Sequence, residues 1–205
     1  MSSAALAVPS GPTSLPRVAG RVVRWLAAAA LVAACVLAVL REETLRHLEA
    51  HLAGVVTRLV FGREVRVMTD QPVFAFERVA GDDTTWFALH VTQQCSALFF
   101  LVPLALIAAF VLVTGRSSPG ILVVATLGTA ALLEAVNMLR VEIMVFAATR
   151  GGTSVFGWVH DTLGSALMLG GFTVALVIFF RLGFLGRRRA GRARPDTAHR
   201  TEEQP

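Results

Sequence analysis

The stretch His90–Val113 reads HVTQQCSALFFLVPLALIAAFVLV. A polar run ends at Cys95 and Ser96, and almost nothing polar follows until Thr114. About 20 apolar residues in a helix span the ~30 Å of bilayer hydrocarbon, and this run supplies nearly that. Cys95 thus stands at the mouth of a membrane helix. It is either a small buried filler or a nucleophile held at the membrane surface, and the rest of the chain has to choose.

Three further apolar runs surround this one. With Ser96–Thr114 they are Val22–Leu40, Gly120–Leu139 and Thr162–Phe180. Hydrophobic residues make up 55% of the 205 residues and charged residues 16%, where soluble domains carry about 25% charge. The expected fold class is an all-α integral membrane protein, with four transmembrane helices in one unit over residues 22–180. The first run has an arginine-bearing flank and an Ala-rich core, as a signal peptide does. No small-x-small cleavage site follows it in LREETLRHLEAH, so it reads as a retained anchor. Residues 1–20, rich in Ser, Pro, Gly and Ala, read as a disordered cytoplasmic tail. Residues 181–205 read as a basic cytoplasmic tail.

The formal net charge is +5 and the chain has no lysine. Arginines flank the first run (Arg17, Arg21, Arg24), separate the second from the third (Arg116) and crowd after the fourth (Arg181, then Arg187 to Arg200). Between Arg41 and Asp83 they are interspersed with acids. The positive-inside rule then places both termini in the cytoplasm and residues 41–94 and about 140–161 outside. The run GRRRAGRAR directly follows a spanning helix, so it reads as a topology signal or an anionic-lipid contact and not as a nucleic-acid site.

The outer segment 41–94 has order of its own. Leu45, Leu48, Leu52, Val55, Val56 and Leu59 recur at helical spacing, which predicts an amphipathic helix on the bilayer or over the bundle. Val65 and Val67 alternate with charge, and Val73, Phe74 and Phe76 follow Pro72. Trp86, Phe87, Leu89 and Val91 follow a turn at Gly81–Asp83. Short strands and a hairpin are expected, the last strand running directly into Cys95. The result is a small extracytoplasmic α/β insertion that offers a backbone edge to an extended peptide.

This topology brings Cys95, Asn137, Arg140 and His160 to one membrane depth from three helices. Cys35, mid-membrane, is a filler. Cys95 has no outer partner cysteine, and is expected to be reachable from outside. Arg140 either snorkels to the interface or faces the bundle interior. Asn137 braces it or holds substrate, and Glu134, deeper, is structural and needs a partner. His160 is either a polar boundary residue beside the belt aromatic Trp158 or a proton carrier. Asp161, on a different helical face, caps the helix start. His90 is the rival base, roughly 15 Å from Cys95 if the chain is extended. His47 and His51 are four apart, but HLEAH is not the H-E-x-x-H order of zinc proteases. No metal and no cofactor is expected. A thiol, an imidazole and a fixed cation suffice for acyl transfer.

Cys95-Ser96, the N-x-x-R of Asn137–Arg140, and His160 before a final helix resemble the exosortase/archaeosortase family, over about Arg41 to Phe180. The resemblance implies a membrane cysteine protease and transpeptidase of the bacterial cytoplasmic membrane, with its active site outside. It implies Cys95 as nucleophile, Arg140 as oxyanion or substrate stabiliser and His160 as general acid and base, with Asn137 and Ser96 in support. It implies two kinds of partner: exported proteins ending in a short motif, a transmembrane helix and a basic cluster, and an amine acceptor on envelope lipid or peptide. Two features depart from the family. Four spanning helices stand where many members have about eight, and Cys95-Ser96-Ala97 stands where Cys-Thr-Gly or Cys-Ser-Gly is common. The competing reading is a non-catalytic membrane scaffold or assembly partner. Thiol–disulfide exchange lacks a Cys-x-x-Cys pair.

Overall fold

The computed structural model describes residues 15–80, 83–115 and 117–192. Helix α1 (Leu15–Leu40) leads into α2 (Glu42–Phe61). Residues 15–20 are thus helical where the composition suggested a tail, and residues 1–14 and 193–205 lie outside the described residues. Glu42 and Glu43 in its first turn favour α2 through the helix dipole. Gly62 ends it at φ 63°, the left-handed conformation that glycine adopts without steric cost, with its N–H on Arg58 O.

Strands β1 (Val65–Val67), β2 (Val73–Ala80) and β3 (Asp83–His90) follow as an antiparallel sheet in the order β1-β2-β3. The register pairs Val65 with Phe76 and Phe74 with Leu89. A 3-10 turn, Gln93–Cys95, connects the sheet to α3 (Leu98–Val113). Helix α4 (Pro119–Trp158) starts with proline in its first turn, where the missing N–H is harmless. A π-helical turn, Val159–Leu163, leads into α5 (Gly164–Arg192).

Helical hydrogen bonding continues from α4 into α5, yet the chain doubles back on itself. Gly171 packs on Val136 and Gly164 on Arg140, while Ser117 Oγ–H donates to Gly183 O at 2.9 Å. These pairs place α5 antiparallel beside α4. Two long apolar helices result, Pro119–Gly151 and Val155–Gly183. With Val18–Leu40 they are, among the described residues, the three helices long and apolar enough to cross a membrane, and the protein is a multi-pass membrane protein.

The fourth expected span is different. Helix α3 is apolar but has 16 residues, about 24 Å at 1.5 Å per residue, less than the hydrocarbon thickness. It is short because Ser96 is extended, at ψ 137°, so the helix starts only at Leu98. The third helix departs the other way and continues well past Leu139. Its polar residues Arg140 and Glu142 find protein partners and so have no reason to end it. Thr57 Oγ1–H donates to both carboxylate oxygens of Glu142, at 3.1 and 3.2 Å.

Two apolar cores result. One joins α1, α3, α4 and α5 through residues such as Ala28, Leu104, Ala108, Leu122, Ala175 and Phe179. The other lies between the sheet, α2 and the far part of α4, and includes Phe74, Phe76, Leu89, Ala50, Val141 and Met144. Helix α2 turns a face of Glu49, Ala50, Ala53, Gly54 and Thr57 inward. Its large residues Leu48, Leu52, Val55 and Leu59 are exposed. The leucine stripe therefore looks away from the protein, and the small residues make the packing face.

Two adjacent glycines in α5 test the hairpin. A Cβ on Gly171 lies 2.7 Å from Val136 Cγ1, while one on Gly170 meets nothing within 4 Å. G171A is expected to destabilise by about 1–3 kcal/mol through overpacking. G170A is expected to be neutral or to stabilise by up to about 1 kcal/mol through helix propensity. Thermal unfolding of the full chain in detergent reads both.

Candidate active site

Cys95 ends the 3-10 turn and is buried, with 1% of its surface exposed. It belongs to the sheet-side core. This corrects the expectation of a freely reachable thiol, because the side chains that give it chemistry also cover it. His160 Nε2 lies 3.4 Å from Cys95 Sγ. Arg140 is 4% exposed, and its Nη2 lies 3.9 Å from the same sulfur. Its Nη1–H donates to Gln94 O at 2.8 Å. Arg140 therefore faces the interior and does not snorkel.

His160 does not open a helix, as its position in the sequence suggested. It sits within the π turn, where Gly164 N–H donates to Val159 O, five residues back. The extra residue per turn rotates the following side chains relative to an α-helix, a device found often at functional sites. Asp161 is no cap either. Its Oδ1 lies 2.9 Å from His160 Nδ1 although the two are adjacent in sequence. The tautomer protonated on Nδ1 donates to Asp161 and leaves Nε2 to accept from the thiol. Phe156 stacks on the imidazole, with ring centroids 5.9 Å apart. His90 ends β3 with its side chain exposed, and makes no hydrogen bond to Cys95 among the described residues.

Gly164 makes room for the cation. A Cβ there would lie 2.8 Å from Arg140 Nε and 3.3 Å from Val159 O. Nε is the tethered middle of a buried side chain, so it cannot swing aside. Asn137 is 1% exposed, and its amide makes no hydrogen bond among the described residues. The bracing of Arg140 by Asn137 is therefore not made. Oε1 of Glu134, one turn deeper, is likewise buried without a described partner.

The sequence pattern assigns no role to Glu49, the acid between His47 and His51. Its Oε1 accepts from Ser96 Oγ–H at 2.9 Å and from Ala97 N–H at 3.0 Å. Ser96 Oγ in turn accepts from Leu98 N–H at 3.2 Å. One carboxyl from α2 thus holds the two residues after Cys95 and the first turn of α3. The available signal was the small-residue stripe Ala50, Ala53, Gly54 and Thr57, which marks the packing face on which Glu49 lies.

A cavity of 640 Å³ adjoins the cluster, lined in part by Gln93, Gln94, Phe99, Arg140, His160 and Met168. It has the size of a ligand site, and its polar lining is concentrated at the residues around Cys95. No group of three or more potential metal ligands occurs among the described residues.

Residues 83–181 match the family model described as transmembrane exosortase, Exosortase_EpsH. No curated protein and no solved structure matches the chain. The matched stretch runs from β3 into α5 and contains Cys95, Asn137, Arg140 and His160. Glu49 lies outside it.

Burial pushes the Glu49 carboxyl up to about 7, with the nearby Glu134 adding to the rise. The bonds from Ser96 and Ala97, and the charge of Arg46, oppose it. The folded protein therefore holds this proton more tightly than the unfolded chain does. Its contribution to stability is full below about pH 4.5 and is lost as pH rises through about 7. E49Q, which cannot ionise and keeps an oxygen acceptor, is expected to remove that part of the slope in thermal stability between pH 4.5 and 7.

Proposed function

Starting from the chain's membership of the transmembrane exosortase family, shown by its match over residues 83–181, we propose that it is a membrane cysteine peptidase and transpeptidase. It cleaves C-terminal sorting signals of exported proteins at the outer face of the cytoplasmic membrane. The observation that carries this reading is the contact of Cys95 Sγ with His160 Nε2 at 3.4 Å, with Arg140 on the same sulfur. A scaffold protein has no use for a thiol, an imidazole and a guanidinium from three separate elements within reach of one another.

The chemistry follows from the placement. His160 Nε2 takes the thiol proton as Sγ attacks a backbone carbonyl, and the electrons of the C=O bond move to its oxygen. Arg140 Nη1 is already engaged by Gln94 O, which fixes the guanidinium plane and leaves Nη2 to donate to that oxyanion. Collapse breaks the C–N bond, and the imidazolium gives its proton to the leaving amine. Asp161 holds the ring in the tautomer this exchange needs, as the third member of a triad does. An amine on an envelope lipid or peptide then attacks the thioester. Its proton passes to His160 and returns to sulfur. Both termini lie in the cytoplasm in this reading, which the arginine distribution supports.

The test is a reporter exported with a host tail of short motif, apolar helix and arginine cluster, with cleavage followed by gel shift. C95S is expected to abolish cleavage. H160A is expected to lose about 10²–10⁴ in rate, with H90A close to wild type. R140K keeps the charge but loses the planar fork, and about 10²–10³ in rate is expected to go with it. Full activity in C95A sinks the enzyme reading. Inactivity confined to H90A moves the base to His90.

A further inference from the structure

The two rows of backbone groups on β3 meet different surroundings. Met68 N–H donates to Val73 O and Glu77 N–H donates to Glu64 O, so residues 73, 75 and 77 of β2 turn their backbone groups toward β1. Val91 N–H donates to Pro72 O across the other ladder. By the alternation of an antiparallel pair, Thr85, Phe87 and Leu89 then bond to Arg78, Phe76 and Phe74 of β2. The N–H and C=O groups of Trp86, Ala88 and His90 point the opposite way. No described strand takes them, and all three residues are exposed.

Sheet edges are usually blunted by proline, by lysine or by a bulge. From Thr84 to His90 this edge has no proline and no lysine, arginine or carboxylate side chain, and its pairing with β2 is unbroken from Asp83 to His90. The edge is also continuous with the site. Three residues after His90 come Gln93 and Gln94, which line the 640 Å³ cavity together with Arg140 and His160.

We propose that β3 binds the substrate as a fourth strand. The extended segment just before the substrate's membrane helix pairs through its backbone with Trp86, Ala88 and His90, and so leads the scissile carbonyl into the cavity beside Cys95. The inference rests on the peptidase reading above. It also fixes a direction. β3 runs toward the apolar helix α3, and a substrate whose C-terminal helix lies in the membrane runs the same way, so the added strand is parallel. Backbone pairing of this kind reads little side-chain chemistry. Side-chain substitutions in the paired segment are tolerated, whereas proline, which has no N–H, is not tolerated where that N–H is used.

The experiment uses the full chain in membrane vesicles and the reporter described above. A proline is moved one residue at a time through the segment preceding the sorting motif. Loss of cleavage, about tenfold or more in kcat/KM, is expected at alternate positions. In the enzyme, Ala88→Pro removes one outward N–H and leaves the β2 ladder intact, as proline on an edge strand does. Its KM for the reporter is expected to rise about tenfold, with the rate of Cys95 alkylation by a small neutral reagent unchanged. A uniform response to proline along the segment overturns edge docking. So does a wild-type KM in A88P. Altered alkylation in A88P signals a disturbed fold, and the reporter scan then decides alone. A C95S enzyme that still cleaves the reporter overturns the peptidase reading, a result distinct from either of these.

Discussion

A guanidinium buried at the sheet-side end of a membrane bundle constrains the rest of this structure. Arg140 is almost wholly out of water, and an ion in that position costs several kcal/mol unless its donors are met. Nε has no partner among the described residues, and the acceptors that Nη1 and Nη2 find are not on α4. They are Gln94 O and Cys95 Sγ, on the turn before α3. The turn must therefore pack against α4, and α5 must pass close to the arginine without a side chain, which Gly164 permits. The π turn just before Gly164 brings His160 onto the same sulfur. Thiol, cation and imidazole thus converge around the burial of one charge, and Glu49 secures the turn from the other side.

Two solvents act on the two ends of the molecule. Among the long helices, lipid is as apolar as leucine, so packing depends on close contact between small side chains. Ala108, Ala125, Ala175 and Gly171 supply it. At the sheet end, burial of Phe74, Phe76 and Leu89 removes apolar surface from water and contributes in the ordinary way. Helix α2 belongs to both regimes. It packs through alanine and glycine, ties to α4 through Thr57 and Glu142, and leaves its leucines outward.

What could be read in the sequence depended on how local its cause was. The apolar runs and the short strands after Gly62 follow from period and composition, and the sheet lies where they put it. The candidate residues Cys95, Arg140 and His160 were legible because the order of the apolar runs puts these polar groups at one end of the bundle. Their contacts, however, were beyond any local rule. The shortness of α3 depends on the extended Ser96, which Glu49 holds from 47 residues away. The extension of α4 depends on Thr57 reaching Glu142 across 85 residues. The leucine stripe of α2 predicted the helix and left its cover open, because amphipathicity names an apolar face without saying whether lipid or protein covers it. The His160–Asp161 pair depends on a π turn, and no pattern in VHDTL announces one.

The sheet-side core has a consequence for how the protein is made. Its sheet and α2 are synthesised before residue 95, yet Val141, Met144, Val145 and Val159 complete it from α4 and the turn beyond. In the proposed orientation that stretch reaches the far side of the membrane only when the third helix has been inserted. Until then Phe74 and Phe76 lack their cover, and Cys95 has neither Arg140 nor His160 beside it. Biogenesis in that orientation leaves an interval in which the emerging chain carries an open apolar face and an uncovered Cys95 thiol. Delivery of the α4–α5 hairpin closes both at once, so completion of the fold and assembly of the Cys95–Arg140–His160 cluster are a single event in the life of the chain.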